Sequence, residues 1–144
     1  MNEHVKKRPD IYIELQMLIR HIYSALFAMP KKDRVMLGDR IFSAAVDALV
    51  YYRLAYRFME DREENKRRFS VEYEKLKELL RMAATLKKIP IEKHVALFSY
   101  IERIDSGYSR WDKATKKRII QASGESNYDP ASDNSKSRGG DGFI

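Results

Sequence analysis

Between Leu37 and Met59 the chain reads LGDRIFSAAVDALVYYRLAYRFM, and within it Leu37, Ile41, Ala44, Ala48, Tyr52, Ala55 and Met59 recur at steps of four and three. That spacing puts all seven on one stripe of an α-helix, whereas a strand needs strict alternation. The same rhythm continues on both sides. Upstream, Ile11, Leu15, Leu18, Ile22, Ala25 and Met29 form a stripe behind Asp10, a residue type that caps helix N-termini. Downstream, Phe69, Tyr73, Leu76, Leu80 and Ala83 form a third stripe, and Leu97, Ile101, Ile104, Tyr108 and Trp111 a fourth. No segment alternates as a strand does.

Pro9, Pro30 and Pro90 stand at the junctions between these segments, where a missing amide donor is tolerated. One junction lacks such punctuation: the polar run EDREENKRR from Glu60 to Arg68 holds neither Pro nor Gly. A single helix from Lys32 to Lys88 would run about 57 residues, far beyond the usual globular length, so a turn near Asn65 is predicted, with Ser70 available to cap the third helix. The expected fold is all-α, with helices over 10–29, 32–61, 66–88 and 91–117 packed as an antiparallel up-down-up-down four-helix bundle. Ala44, Ala45, Ala48, Ala55, Ala83 and Ala84 permit close approach of the helices. Tyr51, Tyr56, Phe98 and Tyr100 lie off the main stripes, so they either snorkel at the bundle edge or form a self-association surface.

A chain of 144 residues, 44% of them hydrophobic, suits one domain with a modest core. It has no cysteine, which excludes a disulfide framework and thiolate metal sites and fits a reducing, cytoplasmic setting. Its longest apolar stretches, such as Ile41 to Val46, stop far short of the roughly 20 residues a bilayer span requires. No export signal is readable in MNEHVKKRP and the residues after it, because Asp10 and Glu14 interrupt any apolar run. A soluble protein is expected. The net charge is +7, unevenly spread. From Ile119 to Ile144 there are two basic and four acidic residues and four of the six glycines, so the first 118 residues hold a surplus of nine cations. The expected domain layout is therefore a bundle over 1–118 and a disordered polar tail over 119–144.

Catalytic signatures are missing. The only histidines are His4, His21 and His94, no Glu-x-x-His pair occurs, and there is no Gly-rich phosphate loop or nucleophile elbow. No metal, no cofactor and no enzymatic activity are expected, and His21, between Leu18 and Ile22, reads as a satisfied or partly exposed histidine. What the sequence does offer is basic surface. Arg53 and Arg57 are four apart, as are Lys77 and Arg81, so each pair points one way and can meet successive phosphates of a nucleic-acid backbone. Lys87, Lys88, Arg110 and Lys113 extend the candidate surface. The competing reading is a solvated face: Glu74 and Glu78 lie three before Lys77 and Arg81, and Glu60 and Asp61 lie three and four after Arg57, so local ion pairs would neutralise the cations one by one. The surplus over the whole set favours a polyanion, and an acidic protein surface would satisfy the same field.

The stretches MPKKDRVMLGDRIFSAAVDALVYYRLA (Met29 to Ala55), YEKLKELLRMAATLKKI (Tyr73 to Ile89) and IERIDSGYSRW (Ile101 to Trp111) resemble the accessory variability determinant proteins of diversity-generating retroelements. The most specific pieces are Pro30 to Arg34 leading to Leu37-Gly38, the run Leu80 to Ala83, and the Gly107 to Trp111 ending; the likeness covers about residues 10–118. It implies a four-helix bundle that assembles as a homopentameric ring, binds the retroelement's reverse transcriptase and binds template RNA or cDNA, serving mutagenic retrohoming. It implies nucleic-acid or transcriptase contact for Lys77 and Arg81. Where the family's last helix commonly ends in a Gly-Gly-Trp-like element, Ser109 and Arg110 here separate Gly107-Tyr108 from Trp111. A helical-bundle module that binds only protein is the alternative function.

Overall fold

The computed structural model describes residues 10–128, with side-chain surroundings as far as Lys117. The described residues form four helices and no strand. Helix α1 spans Ile11–Phe27; α2 is built of Lys31–Asp33, a π-helical turn Arg34–Gly38 and Asp39–Arg57; α3 spans Arg62–Thr85; and α4 spans Ile91–Tyr128.

Helix α1 begins because Asp10 is extended and its Oδ1 accepts from the amides of Tyr12 at 3.0 Å and Ile13 at 3.3 Å, meeting donors that the first turn leaves without partners. It ends at Phe27, two residues before the predicted boundary, since Pro30 disfavours helical backbone at Met29. The Arg34 guanidinium then donates to the Met29 carbonyl at 2.8 Å. Gly38, not Leu37, is the buried residue of the π turn, and a Cβ there would meet Leu26 Cδ2 at 3.4 Å.

The second boundary differs from the expected one. Helix α2 stops at Arg57, not 61; Phe58 is extended, Asp61 takes a left-handed φ of 62°, and Asn65 lies inside α3. The breaker is a side chain reaching back. Arg62 donates from Nε to the Ala55 carbonyl at 2.7 Å and from Nη2 to the Tyr56 carbonyl at 3.1 Å, meeting the acceptors that end α2. With those acceptors met, the turn does without Gly or Pro, and Asp tolerates the left-handed region better than most residues. The polar run belongs to α3, where Glu64 pairs with Arg67 at 2.6 Å and Arg68 at 2.8 Å. Ser70 is therefore an interior residue and caps nothing.

Helix α3 ends at Thr85, not 88, with Lys87 at a φ of 58°. The Lys88 amide donates to the Ala83 carbonyl and the Lys87 amide to the Ala84 carbonyl, the Schellman pattern of helix termination. Helix α4 runs past the predicted end at 117 to Tyr128. The segment Ile119 to Ser123 contains no proline, and a lone glycine such as Gly124 costs a helix only about 1 kcal/mol. The expected disordered tail thus overlaps a helical backbone over 119–128, and its remainder, 129–144, lies outside the described residues.

One core joins all four helices. Leu15, Leu18 and Ile22 of α1 pack with Ile41 of α2, Leu76 and Leu80 of α3 and Leu97 and Ile104 of α4, all essentially excluded from solvent. The α2–α3 pair makes the most extensive helix–helix contact, with alanines at 44, 45 and 48 letting the backbones approach. Cross-helix partners follow a regular order: Lys66 meets Thr115, Phe69 meets Tyr108 and Tyr73 meets Asp105 between α3 and α4, while Glu14 meets Arg103 and His21 meets Tyr100 between α1 and α4. At one end the core turns aromatic, with ring centroids 4.7 Å apart for Phe69 and Tyr108, 5.2 Å for Tyr52 and Trp111 and 5.6 Å for Tyr108 and Trp111. Of the off-stripe aromatics, Tyr51, Phe98 and Tyr100 are half-buried against this core, and Tyr56 is 52% exposed.

Candidate nucleic-acid interface

The eight basic residues singled out in the sequence fall into two groups. Lys77, Arg81 and Lys88 are locally neutralised. The Lys77 side chain is 13% exposed, its Nζ lies 2.9 Å from Glu74 and 3.7 Å from Asp105, and it sits 4.8 Å from the Tyr73 ring. Asp105 also accepts from the Tyr73 hydroxyl at 2.8 Å; burial first, and the Asp105 charge second, push that phenol's pKa up, so it remains a donor. Lys77 therefore braces α3 against α4. Arg81 pairs with Glu78 at 2.7 Å over the Phe98 ring, and Lys88 pairs with Asp33 at 3.3 Å. The neighbouring-turn ion pairs of the competing reading form at Lys77 and Arg81, with Lys77 packed rather than solvated, while Lys88 is held by an acid from another helix.

Arg53, Arg57, Lys87, Arg110 and Lys113 differ: among the described residues no carboxylate comes within salt-bridge reach of them. The anticipated pairing of Arg57 with Glu60 or Asp61 does not form, because α2 ends at Arg57 and those acids lie in the turn. Arg57 instead rests 5.9 Å from the Phe58 ring. Lys87 stands apart at the opposite end, in the α3–α4 connection.

Arg53 and Arg110 come together. They flank an open cleft of about 460 Å³ where the start of α1, the last turns of α2 and the middle of α4 converge. Tyr12, Tyr52, Tyr56 and Trp111 line it. The Arg53 guanidinium lies 4.5 Å from the Tyr12 ring centroid, and Arg110 Nη1 donates to Ser106 at 2.9 Å, a contact one helical turn back that leaves its charge uncompensated. Burial, and then the Asp10 charge, push the Tyr52 phenol's pKa up. Asp10, the cleft's carboxylate, is committed to capping α1. A larger groove of about 620 Å³ between α2 and α3 carries Asp39 and Glu78 beside Arg40 and Lys75, a balance of signs that selects no polyanion.

Trp111, which lines the cleft, sits beside a buried residue that sequence reasoning missed. Lys66 is only 4% exposed; its Nζ lies 2.7 Å from Asp112 Oδ1 and 3.1 Å from Glu63 Oε2, donates to Thr115 Oγ1 at 2.8 Å, and sits 5.4 Å from the Trp111 ring. Burial raises the Asp112 pKa, but the Lys66 hydrogen bond and charge, helped by Lys116, outweigh it and hold the carboxyl below its ordinary value. The signal was present: Lys66 lies three before Phe69 and Thr115 four after Trp111, so each extends a core stripe by one turn.

The opposite end has another character. Lys88 and Asp33 tie the α3–α4 connection to the first turn of α2, and at this end Lys31, Lys32, Lys87 and Lys93 accompany exposed Phe27, Met36, Leu86 and Ile91. Among the described residues no group of three or more His, Cys, Asp and Glu side chains is placed to hold a metal ion, and no helix is long and apolar enough to cross a membrane. His21 Nε2 lies 3.2 Å from the Tyr100 hydroxyl.

No protein-family model matches this chain, and no curated protein matches it.

Proposed function

We propose that the protein is a non-enzymatic adaptor that binds nucleic acid at the aromatic end of an up-down-up-down bundle. The observation that carries this reading is the Arg53–Arg110 cleft: two guanidiniums without carboxylate partners among the described residues, set among aromatic rings. Guanidinium is the side chain best suited to phosphate, and aromatic rings to bases. The bundle topology is supported by the order of cross-helix partners, in which residue numbers rise along one helix as they fall along its neighbour. With Arg57 and Lys113 nearby, the interface departs from the Lys77–Arg81 face that the family resemblance implies. By that resemblance the polyanion is template RNA or cDNA, the protein partner is a reverse transcriptase, the assembly is a homopentamer and the process is mutagenic retrohoming.

Salt titration of RNA binding tests the reading. The logarithm of the affinity falls linearly with the logarithm of salt as counterions are displaced, and Arg110→Glu lowers the affinity and reduces the slope by about one phosphate contact. A salt-independent association, or an Arg110→Glu variant with unchanged affinity, refutes it. The reading as a protein-interaction module draws on the exposed Phe27, Met36, Leu86 and Ile91 at the other end. Light scattering that shows a stable oligomer indifferent to RNA at low salt would favour that alternative.

A further inference from the structure

A duplex presents phosphates and groove edges but keeps its bases stacked inside, so phosphate contact alone needs basic side chains and no aromatic cavity. The cleft between α1, α2 and α4 holds more than that. Tyr56 is 52% exposed, its ring centroid 6.4 Å from Trp111 and 6.0 Å from Tyr52, so one aromatic surface continues from solvent to the core. The cleft lining also holds the Tyr12 ring of α1 with the Arg53 guanidinium over it, a second aromatic surface with a charge beside it. The volume of about 460 Å³ falls within the range of small-molecule sites, about 300–1,000 Å³. Asp10 makes its edge unfavourable for a phosphate, which directs the backbone towards Arg53 and Arg110 and leaves the interior for a neutral, flat group.

We propose that this cleft takes an unpaired base of a single-stranded nucleic acid, stacked against Tyr56, with its flanking phosphates on Arg53 and Arg110. The inference rests on the nucleic-acid reading above and adds to it a discrimination between single strand and duplex. The alanine cost of a base–aromatic stack corresponds to roughly tenfold in affinity per base.

Trp111 is the single tryptophan of the chain and lines the cleft, so intrinsic fluorescence reports its occupancy. The full chain is titrated at low salt with a labelled single-stranded oligonucleotide and with a blunt duplex of the same length, following label anisotropy and Trp111 emission together. The single strand is expected to quench Trp111 and to bind about tenfold more tightly than the duplex. Tyr56→Ala is expected to abolish that preference by weakening single-strand binding, and Tyr56→Phe to keep it; since Tyr56 is half exposed, circular dichroism should show both variants folded. Equal affinity for the two forms with unaltered Trp111 emission overturns the base-binding proposal and leaves phosphate binding standing. Absence of binding to either form overturns both.

Discussion

A lysine with 4% exposure between α3 and α4 is tolerable because its ammonium finds Glu63, Asp112 and the Thr115 hydroxyl within 3.1 Å. Its loss empties a packed site and takes one cation from the partly exposed Glu63 and Asp112, the latter keeping Lys116 at 3.3 Å, so Lys66→Ala is expected to destabilise the fold by about 1–3 kcal/mol in denaturant titration, and Lys66→Met by less, since its chain refills the space. Trp111 emission should shift to the red in Lys66→Ala as the packing beside that ring loosens. Asp112 has a folded pKa below its ordinary value, so its contribution to stability is fully present above the unfolded carboxyl pKa, near 4, and is lost as pH falls through the depressed one. Glu64, held at about 2 by hydrogen bonds from Arg67 and Arg68, has the same sign, but at an exposed site that solvent screens. Stability measured from pH 7 down to pH 2 should therefore fall, and Asp112→Asn should flatten that fall while lowering the plateau. Lys66, one turn before Phe69, could be placed from the stripe spacing, but its pairing with Asp112 and Thr115 could not, since that depends on how α3 and α4 pack.

At the scale of the helix, two terminations rest on unusual residues. Arg62→Ala strips the guanidinium from the Ala55 and Tyr56 carbonyls and is expected to cost about 1–3 kcal/mol, a charged hydrogen-bond donor being worth that range. Lys87 occupies the left-handed position of a Schellman motif that glycine fills more cheaply, so Lys87→Gly should raise the midpoint of unfolding by the equivalent of about 1 kcal/mol. RNA affinity should be unchanged in that variant, because Lys87 lies at the end away from the cleft. The stripes, the Asp10 cap and the proline junctions were legible because each is a local pattern. The α2–α3 boundary was not: its determinant, Arg62, acts backwards across the turn, and a side chain that caps the preceding helix leaves no Gly or Pro behind it.

Across the whole molecule, charge counted along the sequence overstated some residues and understated others. Glu74 and Glu78 lie one turn from Lys77 and Arg81, and this pairing was readable from spacing; the meeting of Arg53 with Arg110 was not, since it depends on how α2 and α4 pack. Lys77→Glu would set three acids together with Asp105 and Glu74, so it should lower Tm, whereas Arg110→Glu, exposed and one turn from Ser106, should weaken RNA binding with Tm within about 2 °C of the parent. Finally, the Glu14–Arg103 contact spans 89 residues of sequence, while α2 and α3 meet across a four-residue turn. Closing the longer loop carries the greater entropy loss, so the α2–α3 hairpin should condense early and the α1–α4 seam late. By the same reasoning the seam should be the first to breathe in native-state hydrogen exchange. A nucleotide strand bridging α1, α2 and α4 would act as a latch, and its addition should slow amide exchange in α1 more than in α3.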